Sequence, residues 1–282
     1  MSKSRRFLGF LVYALVLSGT VTASFSVYAD GLTLAAAPRE SAEKGKELYD
    51  PVAAYLSKVL GKPVTYVHTN HWIRYQSDMK KRKYDFVFDG PHLASWRIKN
   101  IEHTPVVKLP GNLQFHFLAL ADDNNVNKPE DLIYKRVCVI PPPNLTAVTL
   151  LQKLNDPVRE PVLISVKGSM KNLYEKLIQG ECSGAVVRTD FYQGQLSAEE
   201  KDLVKIVYTS EQLPNQALTA SNRVSDAEIE KLVLALTSVQ GQKVLAPLLK
   251  RFGGKEAVSF IPAERQEYVG YSKFLEGVVL GW

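Results

Sequence analysis

The strongest constraint in this 282-residue sequence is an order of elements that occurs twice. Residues 32–37 read as an apolar strand and residues 50–60 as a helix with Val52, Ala53, Leu56 and Leu60 along one face. A strand at 63–68, a helix at 71–81 and a strand at 84–88 complete the first unit. The same order returns at 136–140, 145–154, 161–166, 169–178 and 184–187. Strand–helix–strand–helix–strand is the grammar of a parallel sheet with crossover helices, so two such units predict two α/β lobes. Residues 115–121 are expected to cross from one lobe to the other and residues 205–208 to return. Helices at 226–240 and 242–251, with Ile229, Leu232, Val233 and Leu236 at helical spacing, then pack back on the first lobe. The expected division is residues 30–119 with 210–282 for the first lobe and 120–209 for the second.

Residues 1–29 read as a leader outside this scheme. Lys3, Arg5 and Arg6 precede an apolar run at 7–17, and Val27-Tyr28-Ala29 offers a small-x-small cleavage site. Ser18, Gly19, Thr20, Thr22 and Ser24 dilute the run below what a membrane span of about 20 residues needs. Export to a periplasm through a cleaved signal peptide is therefore expected, leaving a soluble protein. The leader takes three of the 35 basic residues, so 32 face 29 acidic ones in the remainder, a balance of +3. That excess, with no recognised module beside it, argues against a nucleic-acid partner. The run Lys80-Lys81-Arg82-Lys83 fits a solvated helix end. Cys138 and Cys182 are candidates for a disulfide in an oxidising compartment, free buried thiols being the alternative.

In open α/β sheets, ligands meet the carboxyl ends of strands and the amino ends of the helices that follow. Asp89-Gly90-Pro91-His92 stands at such an edge in the first unit, and Pro141-Pro142-Pro143-Asn144-Leu145-Thr146 at the corresponding edge in the second. Two lobes whose edges face each other would enclose a cleft.

Several stretches carry a resemblance to a known family. They are Tyr49-Asp50-Pro51-Val52-Ala53-Ala54-Tyr55-Leu56, Leu60-Gly61-Lys62-Pro63-Val64, and Tyr84 through Pro91, followed by Lys128-Pro129-Glu130-Asp131-Leu132 and Lys167-Gly168-Ser169. In order and spacing, over residues 32 to 195, the chain resembles the periplasmic substrate-binding proteins of phosphate, phosphite and phosphonate ABC transporters. The resemblance implies a type II periplasmic binding protein fold that closes on a small polar, anionic ligand and delivers it to an inner-membrane permease. It nominates Tyr49, the Gly90-Pro91-His92 turn, the helix start after Pro143 and Ser169. The chain departs from the family where a serine- and threonine-rich turn gives way to three prolines without N–H groups. Met170 stands where a histidine is usual, and Gly184 where an acid is usual.

The candidate ligand-binding set is Tyr49, Tyr75, Asp89, Gly90, Pro91, His92, Asn144, Thr146, Ser169 and Arg188. Arg188 is a candidate bidentate anion ligand, and Asn144 and Thr146 keep the only polar side chains of the proline turn. For Asp89 and His92, capping the next helix competes with contacting a ligand; for Tyr49, Trp72 and Tyr75, burial in the core does. His71 is a further candidate at the start of its helix, and His116 for the hinge. No G-x-S-x-G, H-E-x-x-H or G-x-x-x-x-G-K motif occurs, and His68, His71, His92, His103 and His116 do not cluster. The expectation is thus a monomeric binding protein, not an enzyme, without metal or cofactor. The alternative is a ligand-sensing subunit of the same fold, serving a histidine kinase or chemoreceptor.

Overall fold

A computed structural model describes residues 31–254, 257–276 and 281–282. The leader expected at residues 1–29 lies outside the described residues. The chain runs β1 (Leu32–Ala36), α1 (Ala42–Leu60), β2 (Val64–Tyr66), α2 (Trp72–Lys80), β3 (Phe86–Asp89), α3 (Pro91–Asn100) and β4 (Thr104–Lys108). It continues through β5 (Asn112–Leu113), β6 (Phe115–Leu120), β7 (Arg136–Val139), α4 (Leu145–Leu154), β8 (Val162–Ser165), α5 (Met170–Ile178), β9 (Gly184–Arg188), α6 (Thr189–Gln195), α7 (Ala198–Asp202) and β10 (Val204–Thr209). It returns by β11 (Leu213–Pro214) and β12 (Ala217–Ala220) to α8 (Asp226–Thr237), α9 (Val239–Phe252) and β13 (Ile261–Pro262).

Two sheets result, in the orders β13-β4-β12-β3-β1-β2 and β10-β6-β9-β7-β8. Each has a parallel half, β2-β1-β3 and β8-β7-β9, built from the repeated units. Each also has antiparallel strands contributed by the crossing segments, so both sheets are mixed. Phe115–Leu120 pairs only within the second sheet, so the expected boundary after residue 119 would cut β6 near its end. The two crossings run side by side, with Leu213 opposite Leu113 and Pro214 opposite Asn112 in a two-stranded ribbon. Side chains bind this ribbon to its surroundings: Asn215 Nδ2 donates to the Pro110 carbonyl at 2.9 Å, and the Tyr268 hydroxyl to the Asn215 carbonyl at 2.8 Å.

Apolar faces explain the layers. On one side of the first sheet, Leu34, Phe86, Phe88 and Leu218 pack with Leu48, Val52 and Leu56 of α1 and with Leu232, Leu236, Leu245 and Leu248 of α8 and α9. On the other side, Ala35 and Val87 meet Tyr75 and Met79 of α2 and Leu93 and Trp96 of α3. Burial of these side chains supplies the main stabilising term, at roughly 25 cal/mol per Å² of apolar surface. In the second sheet, Val137, Val139 and Phe117 pack with Val148 and Leu150 of α4, while Cys138, Ala185 and Val187 face Leu173 and Leu177 of α5.

Helix α1 starts eight residues before the expected position. Ser41 caps it, its hydroxyl accepting from the Lys44 N–H at 3.3 Å, and the helix runs through Pro51. Burial of Leu48, Tyr49, Val52 and Leu56 holds the helix together across the missing N–H. The expected helices at 226–240 and 242–251 meet instead at Ser238, which ends α8 and caps α9 through the Gly241 N–H.

Candidate functional site

Between the two sheets lies a cleft of about 670 Å³. Its first-lobe wall includes Arg39 from the β1–α1 loop, Trp72, Gly90 and His92 at the start of α3, and Arg251 and Phe252 at the end of α9. The second-lobe wall includes Pro143 and Asn144 at the start of α4, Lys167 to Lys171 around the start of α5, and Arg188 at the end of β9. A second hollow, lined by Arg188, Asp190, Lys250 and Gly254, shares Met170, Arg188, Phe191 and Arg251 with the first and extends it.

The amino ends of α3, α4 and α5 thus reach the cleft, at Gly90, Asn144 and Ser169. Unpaired N–H groups and the positive end of the helix dipole collect there, an arrangement suited to anions. Asn144 Oδ1 accepts from the Thr146 N–H at 3.0 Å, taking up one donor of α4. The first turn of α5 carries Met170 and Lys171 on the cleft wall.

His92 joins the walls. Its Nε2 donates to the Pro143 carbonyl at 2.8 Å, which fixes the tautomer, and its buried Nδ1 is left without a partner. The residue at position 90 is glycine because a Cβ there would lie 2.9 Å from His92 Cε1 and 3.1 Å from Nδ1. Burial pushes the imidazole down from 6.5 to about 4, overriding the opposing effect of the Pro143 bond. Between those pH values the unfolded chain binds a proton that the native state refuses, so stability is complete above 6.5 and declines toward 4. Buried His103, also lowered by desolvation, acts in the same direction. Urea midpoints measured at pH 7, 5 and 4 should fall in that order, and His92→Leu should flatten the decline. An equally steep decline in the variant would exclude His92 as a source.

The remaining candidates divide sharply. Gly90, His92, Asn144, Ser169 and Arg188 reach the cleft, together with Trp72, and Pro91 sits beside them as the first residue of α3. Four others do not. Asp89 is fully buried, its carboxylate gripped by Arg97 at 2.6 and 2.7 Å and by the Tyr75 hydroxyl, so it has no face left for a ligand. Tyr75 is equally buried; desolvation, then the Asp89 charge, push its hydroxyl well above the ordinary value. Tyr49 stacks on Tyr66 with ring centroids 5.1 Å apart inside the core. Thr146 is buried and donates its hydroxyl back to the Ile140 carbonyl at 3.2 Å. Of the histidines weighed, His71 caps α2 by accepting from the Arg74 N–H, and His116 lies under the Tyr192 ring, bonded to the Thr209 hydroxyl at 2.9 Å.

Cations absent from the sequence-derived set dominate the cleft: Arg39, Lys167, Lys171 and Arg251 join Arg188. Arg39 follows β1 on the same strand edge that nominated His92, so the edge rule contained it. Arg251 and Phe252 carry no such signal; only the packing of α9 brings them there. Arg188 bonds Asp190 at 2.5 Å and Arg251 pairs with Glu40 at 2.7 Å. No group of three metal-ligating side chains occurs among the described residues.

The profile of the family described as ABC transporter, phosphonate, periplasmic substrate-binding protein matches residues 34–268, and the chain belongs to that family. Its members are periplasmic substrate-binding components of ABC transporters. Among curated proteins, the phosphate-import protein PhnD of Mycolicibacterium smegmatis is 30% identical over 122 residues, 41% of this chain and 38% of that relative. The match therefore spans well under half the length of the curated relative. Among solved structures, a Xanthomonas citri protein bound to chloride ion aligns with a TM-score of 0.68 at 13% identity, covering 88% of this chain and 98% of the other. PhnD1 from Prochlorococcus marinus, in complex with methylphosphonate, aligns with a TM-score of 0.61 at 13% identity, covering 86% and 96%. At such identities the likeness speaks to the fold, which is the two-lobed α/β type II fold of periplasmic binding proteins.

Proposed function

We propose that this chain is the solute-binding component of an ABC importer that captures a small phosphorus oxyanion, phosphonate- or phosphate-like, by closing its two lobes. The observation that carries the reading is the cleft itself: the amino ends of α3, α4 and α5 and five cationic side chains converge on one space between lobes joined by paired crossings. Such a space stabilises negative charge. Binding followed by closure accounts for the site without bond breaking. The first lobe comprises the β1–β4 region with the segment after the ribbon, and the second the region between the two crossings. The protein acts as a monomer, is exported by the leader at residues 1–29, and hands its ligand to an inner-membrane permease. The names of the family and of the curated relative support transport over the sensory alternative.

A thermal-shift screen tests the reading. Ligand at 100 times its Kd should add about 2.7 kcal/mol of stability to the native state, so phosphate, phosphite and methylphosphonate should each be compared with sulfate and with neutral amino compounds. Arg188→Ala should weaken the best phosphorus oxyanion by about 1–3 kcal/mol in calorimetry, as a lost charge-assisted contact. No shift with any phosphorus oxyanion up to millimolar concentration would refute the reading. Unchanged affinity in the variant would remove Arg188 from the site.

A further inference from the structure

The charges on the two walls differ in how they are neutralised. Arg188 is paired with Asp190, Arg251 with Glu40, and Lys171 lies 3.7 Å from Glu175. Arg39 and Lys167, one on each wall, have no carboxylate partner among the described residues.

Arg39 is held by its side chain and Lys167 by its backbone. Arg39 Nη1 donates to Gln216 Oε1 at 2.6 Å, and its guanidinium lies 5.6 Å from the centre of the Phe252 ring. Those partners hold the side chain without cancelling its charge, a cation positioned in advance. Lys167 stands in a loop whose shape is fixed by its own carbonyl, which accepts from Asn172 Nδ2 at 3.1 Å. Gly168 completes the loop with φ +107, and a Cβ there would lie 2.6 Å from that same amide nitrogen.

The cleft of about 670 Å³ falls within the ~300–1,000 Å³ of pockets that enclose drug-sized ligands, so it has room for an occupant longer than a five-atom oxyanion. Beside its charged and polar groups the cleft lining includes apolar and aromatic side chains, Trp72, Phe115, Leu145, Met170 and Phe252. Pro141 and Pro143 on the cleft wall offer no N–H to a compact anion.

We infer that the ligand is two-headed: a phosphonate or phosphate ester whose organic part ends in a second anionic group, one head taken by Arg39 and the other by Lys167, with a short carbon linker between. This rests on the oxyanion reading above and narrows its substrate class. A linker of a few carbons packs on the apolar walls, while each head meets a charge that the fold leaves uncancelled.

Calorimetry with inorganic phosphate, methylphosphonate, phosphonoacetate and 3-phosphonopropionate tests the inference on wild type, Arg39→Gln and Lys167→Gln. Far-UV dichroism and thermal unfolding confirm that the variants fold. At least one two-headed probe should bind about tenfold or more tightly than methylphosphonate, as expected for a second charge-assisted contact. Each substitution should bring that probe to within about threefold of methylphosphonate. Equal affinity for methylphosphonate and the two-headed probes would overturn the inference and leave the oxyanion reading intact. Equal losses of methylphosphonate and two-headed probes in both variants would show one anion shared by both cations, again overturning it. Binding of none of the four probes would refute the oxyanion reading, and the inference with it.

Discussion

Arg97→Met is expected to cost about 3–5 kcal/mol of folding stability, because it strands a buried carboxylate. Arg97 and Asp89 are both fully buried, and two parallel N–H···O bonds of 2.6 and 2.7 Å join them. The guanidinium also donates through Nε to the Thr219 hydroxyl at 3.0 Å, so it ties the end of β3 to the neighbouring strand β12. With the arginine removed, the Tyr75 hydroxyl would be the one side-chain partner left to Asp89 among the described residues. Desolvation of an unpaired carboxylate then dominates, since the lost apolar packing of one side chain is smaller. For a chain of this size, each kcal/mol corresponds to roughly 2–4 °C, so the melting temperature should fall by about 10 °C. The double substitution Asp89→Leu with Arg97→Met removes both charges and should lose clearly less than the sum of the single changes. Urea unfolding of the four proteins measures the coupling; additive losses would show that the pair does not act as a unit.

That pair marks where the sequence stopped being informative. The repeated units were legible because apolar periodicity and short turns are local properties, and strands β1, β3, β7 and β9 stand where the pattern puts them. Asp89-Gly90-Pro91-His92 was legible as a strand-end turn, yet its members have opposite fates. The partner of Asp89 is Arg97, on the second turn of α3, and a pairing that depends on how that helix docks on the sheet leaves no mark in spacing. His92, three residues on, points to the other wall.

Strands β4 and β12 were not foreseen. β12 is only Ala-Leu-Thr-Ala, too short and small-chained to stand out. β4 contains Pro105, which pairs opposite Thr219 at an irregularity in the ladder, where a missing N–H is tolerated. Both are held by the first sheet rather than by their own propensity. Tyr49 shows the complementary error: its motif position nominated it for the cleft, but α1 begins early at Ser41 and turns that side chain into the core. Arg39 was missed for a different reason, since the strand-edge rule was applied to turns with distinctive residues and passed over Pro38-Arg39.

Replacing both Cys138 and Cys182 by alanine is expected to destabilise the second lobe by up to about 4 kcal/mol. The two cysteines are bonded, with Cα atoms 5.8 Å apart and a separation of 44 in sequence. Closing a loop of that length removes chain entropy from the unfolded state, and the logarithmic dependence on loop length gives about 4 kcal/mol at 25 °C. The loop contains α4, β8 and α5, the helices and strand that carry the proline turn and Lys167 to the cleft. Cys138 lies in β7, and Cys182 just before β9 in the segment that leads into its neighbour in the sheet, so the bond clamps the entry to the parallel half. Both sulfurs are buried beside Leu173, Tyr174 and Leu177, so the substitution also loses a little packing. Because the cost falls on one lobe, native-state hydrogen exchange should quicken in β7, β8 and β9 of the variant before it does in β1 and β3. Mass spectrometry of the unreduced wild type should read two hydrogens lighter than after reduction. Reductant should lower the urea midpoint of the wild type toward that of the variant, while leaving the variant unmoved. Coincident midpoints for wild type with and without reductant, once full reduction is verified by thiol count, would show that the crosslink contributes nothing to stability.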